Sequence, residues 1–205
     1  MSETEKTTLQ TILAAAKAEL LEKGFRGASL RNIAKTANVT TGAFYGYYKS
    51  KEELFDALVS EQANHALSIY KKAQIDFASL PPDEQKKHIG DIPEKCMSVI
   101  LEYAYKNLEE FKLILTCSDG TKYENFIHEM VEIEVNATHK FNDVLNGLGI
   151  KSKLMNPQLE HILISGMLTA YFEMIIHDMP IAQAHEYLRE LREFYTAGWQ
   201  KIMGF

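Results

Sequence analysis

Apolar side chains recur along this chain at the three- and four-residue intervals of an α-helix. No stretch shows the sustained period-two alternation of a half-buried strand, and only five prolines interrupt the helical spacing. The pattern therefore predicts an all-α fold of about nine helices. The first helix is expected over roughly residues 5–23, with Gly24 just beyond its end in the left-handed conformation that glycine allows.

Short polar residues mark the ends of the next helices. Ser29 and Thr40 are suited to cap a short second and a short third helix, because a side-chain oxygen can accept from a free N–H in the first turn. Asn38 tolerates a positive φ and can close the second helix. Ser50 and Glu53 form a capping box that opens a fourth helix.

Two prolines divide this part of the chain from the rest. Pro81 and Pro82 are expected to stop the fourth helix near residue 79. Beyond them the spacing predicts five further helices, near residues 93–106, 108–117, 122–147, 157–178 and 181–203. Asn156 is expected to cap the helix that begins with Pro157.

Composition narrows the class of protein. Of the 205 residues, 46% are hydrophobic and 24% are charged, which is typical of a folded globular chain. The longest apolar run, from Ile162 to Ile176, is interrupted by Glu173 and is shorter than the ~18–20 residues of a membrane span. The chain starts with polar residues that do not resemble a signal peptide. Cys96 and Cys117 form no disulfide framework, so a cytoplasmic protein is expected.

Charge is distributed unevenly along the chain. Residues 1–55 carry a net charge of +2, whereas the remaining 150 residues carry −8. A basic head on an acidic body is a reason to examine the head for a nucleic-acid partner, although +2 is mild and also compatible with chance.

The head contains the pattern of a helix-turn-helix. Two short helices, of about eight and seven residues, are joined by a tight turn at Asn38 and Val39. Small side chains at the predicted crossing would let the two helices approach closely. In this motif the second helix lies in the major groove of DNA.

Residues 29–54, SLRNIAKTANVTTGAFYGYYKSKEEL, resemble the DNA-binding head of TetR-family transcriptional regulators. The resemblance extends back through the first helix, whereas the rest of the chain is similar to the family only in length, helical content and helix order. It implies a helix-turn-helix DNA-binding domain over residues 1–50 and a ligand-binding and dimerisation domain over residues 51–205. It also implies a homodimer that binds palindromic operator DNA and is released by a small-molecule effector, most often as a repressor.

The resemblance also implies which residues contact DNA. Short side chains at the start of the third helix would let its backbone approach base edges, and tyrosine and lysine groups can reach phosphates. Arg31 has a fork geometry that can read guanine, or it is simply a solvated surface arginine. Thr40 is either a cap alone or a cap with a phosphate contact. We assign Phe44 and Tyr48 to the core. The expected DNA contacts are Arg31, Thr40, Thr41, Gly42, Ala43, Tyr45, Tyr47 and Lys51.

The predicted body carries apolar helices with a few polar side chains, a composition that fits either a ligand pocket or a packed core. Our candidates for ligand contacts are Tyr103, Phe111, His128, Met167 and Tyr171. The last two helices are apolar enough to form a four-helix interface between two subunits, or else to cover their own core.

We found little sign of other chemistry in the sequence. His128 and Glu132 are four residues apart, but the Glu-x-x-His of di-iron bundles and the His-Glu-x-x-His of zinc proteases are missing, so no metal and no cofactor are expected. No nucleophile–base–acid arrangement stands out, so an enzyme is not expected. The alternative to a DNA-binding regulator is a helical ligand-binding module or enzyme whose helix-turn-helix is only structural.

Overall fold

A computed structural model describes residues 3–88, 91–150 and 155–203, with only the backbone considered for residues 3, 4 and 91–94. In these ranges the chain is all-α and contains ten helices. The helices are α1 (Glu3–Gly27), α2 (Leu30–Thr36), α3 (Thr41–Tyr47), α4 (Lys51–Ala78), α5 (Pro82–Lys87), α6 (Asp91–Lys106), α7 (Leu108–Thr116), α8 (Phe126–Gly147), α9 (Pro157–Ile176) and α10 (Ile181–Met203).

The all-α class is confirmed, and one helix more than expected is present. Pro82 both follows the end of α4 and occupies the first turn of α5, where its missing N–H is not needed. Gly24 has φ +67°, as its position at a predicted helix end required, and the helical path continues past this kink to Gly27. Asn156 caps α9 by accepting from the N–H groups of Gln158 and Leu159 at 2.9 and 3.4 Å.

The chain forms two compact units. We call residues 1–64 with 107–126 the head unit, and residues 65–106 with 127–205 the body unit. These units are defined by packing, and the functional boundary after residue 50 stays a prediction. The first half of α4 belongs to the head unit and its second half to the body unit.

The head unit has a core built from α1, α2, α3, the start of α4 and α7. Helix α7 is held to α1 by Lys17, whose Nζ lies 2.5 Å from Glu110 and 3.0 Å from Glu109. The N–H of Phe25 donates to the carbonyl of Cys117 at 2.9 Å. Fully buried side chains fill the centre, among them Ile12, Leu20, Ile33, Phe44, Leu54, Phe55 and Phe111.

The body unit has its own core, centred on α6, α8 and α9. Tyr171 is fully buried and its hydroxyl donates to the carbonyl of Met97 at 2.8 Å. Within the described ranges, α9 is the one helix that is long and apolar enough to cross a membrane. Core helices of water-soluble proteins often have the same length and composition. Its inner face is buried in this unit, through Ile164, Leu168, Phe172 and Ile175.

Candidate nucleic-acid interface and ligand cavity

Helix α2 is fixed in the head unit by its inner face and its N-cap. Ile33 and Ala34 are buried, and the N–H of Asn32 donates to the Ser29 hydroxyl at 3.5 Å, so the predicted cap is confirmed. The Glu19 carboxylate on α1 accepts from the N–H of Ser29 at 3.2 Å. This arrangement leaves the side chain of Arg31 exposed on the outer face.

The turn between α2 and α3 depends on one residue with a left-handed backbone. Asn38 has φ +55°, which confirms the expectation drawn from its residue type. The next N–H, that of Val39, donates to the carbonyl of Ala34 at 3.0 Å. The chain therefore reverses within a few residues and presents α3 immediately after α2.

Helix α3 separates a core face from an exposed face. Thr40 caps it by accepting from the N–H of Ala43 at 3.1 Å. Phe44 is fully buried and Tyr48 is 8% exposed, so both lie in the core as predicted. Their burial fixes which face of this short helix points to solvent.

The exposed face of α3 holds most of the residues assigned to DNA. Thr41, Gly42 and Ala43 are all exposed, and Tyr45 is 50% exposed although its ring edge contacts Phe44. A Cβ atom added to Gly42 would meet no atom of the protein within 4 Å, so the space in front of this turn is open. Thr40 is also exposed, and Tyr47 is partly exposed. All six residues are therefore at least partly accessible to solvent.

Lys51, at the start of α4, is placed differently. Its Nζ donates to the carbonyls of Ala28 at 3.1 Å and Arg26 at 3.3 Å, and lies 4.7 Å from the centre of the Phe25 ring. The lysine therefore joins the end of α1 to the start of α4. Sequence spacing gave no sign of this structural role, because the partners lie more than 20 residues away.

The body unit contains a cavity of about 350 Å³. This volume is within the range of small-molecule sites. Its wall is formed by α4, α6, α8, α9 and α10, and most of it is apolar. The apolar lining includes Phe77, Met97, Phe141, Ile164, Met167, Leu188, Leu191, Trp199 and Met203.

A carboxylate is held at the polar part of this cavity. Oε2 of Glu134 accepts from the hydroxyl of Tyr70 at 2.5 Å and from the amide of Gln74 at 2.6 Å. Burial raises the pKa of the Glu134 carboxyl above its ordinary value, and burial together with this carboxylate raises the pKa of Tyr70 well above its own. Glu134 also lines the cavity, so its carboxyl is within reach of a bound molecule.

The predicted ligand residues have several locations. Met167 and Tyr171 line the cavity. Tyr103 packs against His65 with ring centres 4.3 Å apart, and His128 is exposed beside His161. Phe111 is fully buried in the head unit.

Sequence reasoning missed the polar part of the cavity. Glu134 is a carboxylate on the otherwise apolar face of α8, four residues after the buried Met130. Tyr70 and Gln74 are four apart on α4, so both face the same way. The sequence signal that could have indicated this site is a charged residue, Glu134, at a helix position where the spacing predicts an apolar one.

Comparisons with known proteins identify relatives of this chain. The family described as bacterial regulatory proteins, tetR family, matches residues 12–58. The chain is 25% identical to an uncharacterised HTH-type transcriptional regulator, YvkB of Bacillus subtilis strain 168, over 90% of this chain and 93% of that protein. It is 43% identical over 49 residues to the transcriptional repressor NemR of Escherichia coli K12, which is 24% of this chain and 25% of NemR.

Solved structures extend the likeness to the whole fold. A transcriptional regulator of the TerR/AcrR family from Aquifex aeolicus VF5 is 26% identical, with a TM-score of 0.52, over 92% of this chain and 99% of that one. NalD, the secondary repressor of the MexAB-OprM multidrug efflux pump in Pseudomonas aeruginosa, has the same fold, with a TM-score of 0.52 and 18% identity over 93% of this chain and 96% of NalD.

Proposed function

We propose that this chain, which belongs to the TetR family of bacterial transcriptional regulators, is a cytoplasmic repressor that binds palindromic operator DNA as a homodimer and leaves it when a small molecule binds. The observation that carries the DNA-binding part is the exposed face of α3. Its first turn is open to solvent while Phe44 on the opposite face is fully buried, so the helix can enter a groove without unfolding its own core.

We assign two roles to the head residues. Thr41, Gly42, Ala43 and Tyr45 face outward at the start of α3 and would meet base edges in the major groove. The remaining assigned residues would contact the sugar-phosphate backbone or, for Arg31, a guanine. These remaining residues are Arg31, Thr40, Tyr47 and Lys51.

Selection of bound duplexes from a random DNA pool, followed by sequencing, tests this proposal. We expect enrichment of a palindrome whose half-sites are a helical turn or a multiple apart. Tyr45→Ala should weaken binding to the enriched site at least tenfold, whereas Val99→Ala, which shortens an exposed side chain on α6, should not. A pool with no enriched sequence would instead favour a ligand-binding module with a structural helix-turn-helix.

TetR-family regulators act as dimers, and we assign the interface to α9 and α10. Ile162 on α9 is 64% exposed and Phe194 on α10 is 73% exposed, which is costly in water for side chains of this size. A Cβ at Gly166 on α9 would be 3.4 Å from the Tyr195 hydroxyl on α10, so the two helices contact each other here. A second copy would bury both exposed side chains and give a four-helix interface.

We assign the effector to the body cavity. Its apolar wall fits a hydrophobic small molecule, and Glu134 fits a ligand group that donates a hydrogen bond or carries a positive charge, whereas Arg189 and Arg192, which also line the cavity, fit an acceptor or a negative charge. A screen for small molecules that raise the melting temperature would find candidates. For a cationic candidate, Glu134→Gln should weaken binding at least tenfold, while Glu132→Gln, on the same helix but outside the cavity lining, should leave it unchanged.

Helix α4 is our candidate for the link between effector and DNA. It begins beside the Ser50 cap in the head unit and carries Tyr70, Gln74 and Phe77 of the cavity wall in the body unit. A ligand that favours one position of α4 would change operator affinity only by its differential affinity for the two states. A ligand that saturates the cavity and leaves operator affinity unchanged would contradict this link.

A further inference from the structure

Two imidazoles and one carboxylate converge on the surface of the body unit, away from the cavity lining. His128 and Glu132 are one turn apart on α8, and His161 reaches them from α9. Oε1 of Glu132 lies 3.9 Å from Nε2 of His128 and 3.7 Å from Nε2 of His161. The three ligand atoms all lie within 4.8 Å of one another.

Ordinary hydrogen bonding does not account for this convergence. Both nitrogen-to-oxygen distances exceed the 2.7–3.2 Å or so of a hydrogen bond, so Glu132 lies at ion-pair distance from two imidazoles without a hydrogen bond to either. The rings are not stacked, since their centres are 5.7 Å apart and their planes are inclined by 53°. By contrast, the neighbouring His139–Glu160 pair on the same two helices is a close contact at 2.7 Å.

We propose that His128, Glu132 and His161 bind a divalent transition-metal ion of the zinc class, with the remaining coordination position taken by water. Two imidazole nitrogens and a carboxylate oxygen suit Zn²⁺, Co²⁺ or Ni²⁺, whereas Mg²⁺ and Ca²⁺ prefer an all-oxygen set. Ligand atoms around a tetrahedral zinc are about 3.3 Å apart, given bonds of about 2.0–2.1 Å. The three side chains, two exposed and one partly exposed, need to close by only about an ångström or less for most of these separations, which rotation of their outer bonds can provide.

The ion would tie the first turns of α8 to α9, because its ligands come from both helices. The site has little outer support: within the described part of the chain no hydrogen bond holds the second nitrogen of either ring. Such partners are worth about 10–100-fold in metal affinity. We therefore expect a reversible site rather than a permanent structural one.

Competing thiolate sites are disfavoured. Cys96 and Cys117 are both buried, and burial raises the pKa of the Cys96 thiol to about 12. A thiol in this state is a poor zinc ligand, because the thiolate is the coordinating form. Metal bound by the folded chain should therefore report on the imidazole cluster.

Calorimetric titration of the full chain with ZnCl₂, after removal of metal with a chelator, tests the proposal. We expect one Zn²⁺ per chain, at least tenfold weaker binding for His161→Ala and for Glu132→Gln, and unchanged binding for His177→Ala. His177 is a matched control, since it is an exposed histidine at the end of α9 that pairs with Glu173. MgCl₂ should produce no binding heat.

A second readout separates loss of ligands from loss of fold. Zn²⁺ should raise the melting temperature of the wild-type chain and of His177→Ala, and should have no effect on His161→Ala, whose helical circular dichroism should match that of the wild type. Co²⁺ should give visible bands without the charge-transfer absorption of thiolate ligands. Absence of saturable binding near one ion per chain, or wild-type affinity in both His161→Ala and Glu132→Gln, would overturn the proposal.

Discussion

Lys51 provides a direct test of the head unit, because its charge can stabilise the fold, contact DNA, or do both. Its ammonium group donates to the carbonyls of Ala28 and Arg26 and lies over the Phe25 ring. The resemblance of the head to TetR-family regulators implies that Lys51 contacts a phosphate. Replacing Lys51 with methionine keeps most of the apolar stem and removes the charge. The effect on fold stability and the effect on DNA binding can then be measured separately.

The structural use can be given a magnitude. One good hydrogen bond from a charged donor to the Ala28 carbonyl, at 3.1 Å and partly buried, contributes about 1.5 kcal/mol. A cation–π contact at a partly exposed site adds about 0.5 kcal/mol. We omit the longer, exposed bond to Arg26 and expect Lys51→Met to lower the free energy of unfolding by about 2 kcal/mol. For a chain of this size that corresponds to a fall of about 4–8 °C in Tm.

Urea unfolding at a fixed protein concentration measures the first effect, and the salt dependence of operator binding measures the second. If Lys51 also neutralises one phosphate per head, the slope of log affinity against log salt should fall by about 1.8 for a dimer. Lys49→Met is the matched control, because Lys49 is an exposed lysine two residues earlier whose described side chain has no such carbonyl partners. It should leave the free energy of unfolding within about 0.5 kcal/mol of wild type.

Each measurement can refute a different role of Lys51. Equal stability of Lys51→Met and Lys49→Met would refute the role as a tie between α1 and α4. If Lys51→Met has lower stability but an unchanged salt slope, Lys51 stabilises the contact between α1 and α4 and does not contact DNA.

Three other expectations can be measured with single substitutions. Thr40→Ala should lower the free energy of unfolding by about 1 kcal/mol in urea, since the N–H of Ala43 loses its acceptor, and Thr40→Ser should retain most of it; equal loss in both would mean that the cap is not the cause. Because the pKa of Glu134 is raised by burial, the folded chain holds that proton more tightly than the unfolded chain, and stability falls as pH rises through the folded pKa. The stability of Glu134→Gln relative to wild type should therefore increase as the pH rises above the ordinary pKa of a glutamate in parallel urea titrations, and a constant difference would contradict the shift. Ile162→Asp should convert the dimer to monomer in sedimentation and weaken operator binding, and a variant that stays dimeric would remove this part of α9 from the interface.

The sequence predicted the local features of the head well, and the reason is physical. The caps at Ser29 and Thr40 and the left-handed Asn38 depend on residues within three or four positions, so their signals are contiguous in the sequence. The use of Lys51 depends on partners in another helix. No spacing rule exposes that contact.

The body illustrates the same limit. Apolar residues at helical spacing predicted its helices, but could not say which apolar faces meet each other and which enclose a cavity. Met167 and Tyr171 line the cavity, whereas Phe111, equally apolar and also helical, is buried in the head unit. Their different locations follow from the tertiary fold, which helical spacing alone does not predict. Helix α5 was missed for a different reason, because the proline that ends one helix can also occupy the first turn of the next.

The proposed coupling between effector and operator needs only a small free energy. A tenfold loss of operator affinity requires about 1.4 kcal/mol, which is within the range of a single hydrogen bond to a charged group. Glu134 can supply it if a ligand donates to its carboxylate in one position of α4 and not in the other, because two of its partners, Tyr70 and Gln74, lie on α4 itself. By thermodynamic linkage, operator DNA must then lower the affinity for the ligand by the same factor. If Glu134→Gln weakens the ligand equally with and without operator, Glu134 contributes the same contact in both states, and the coupling must arise at another part of the cavity wall.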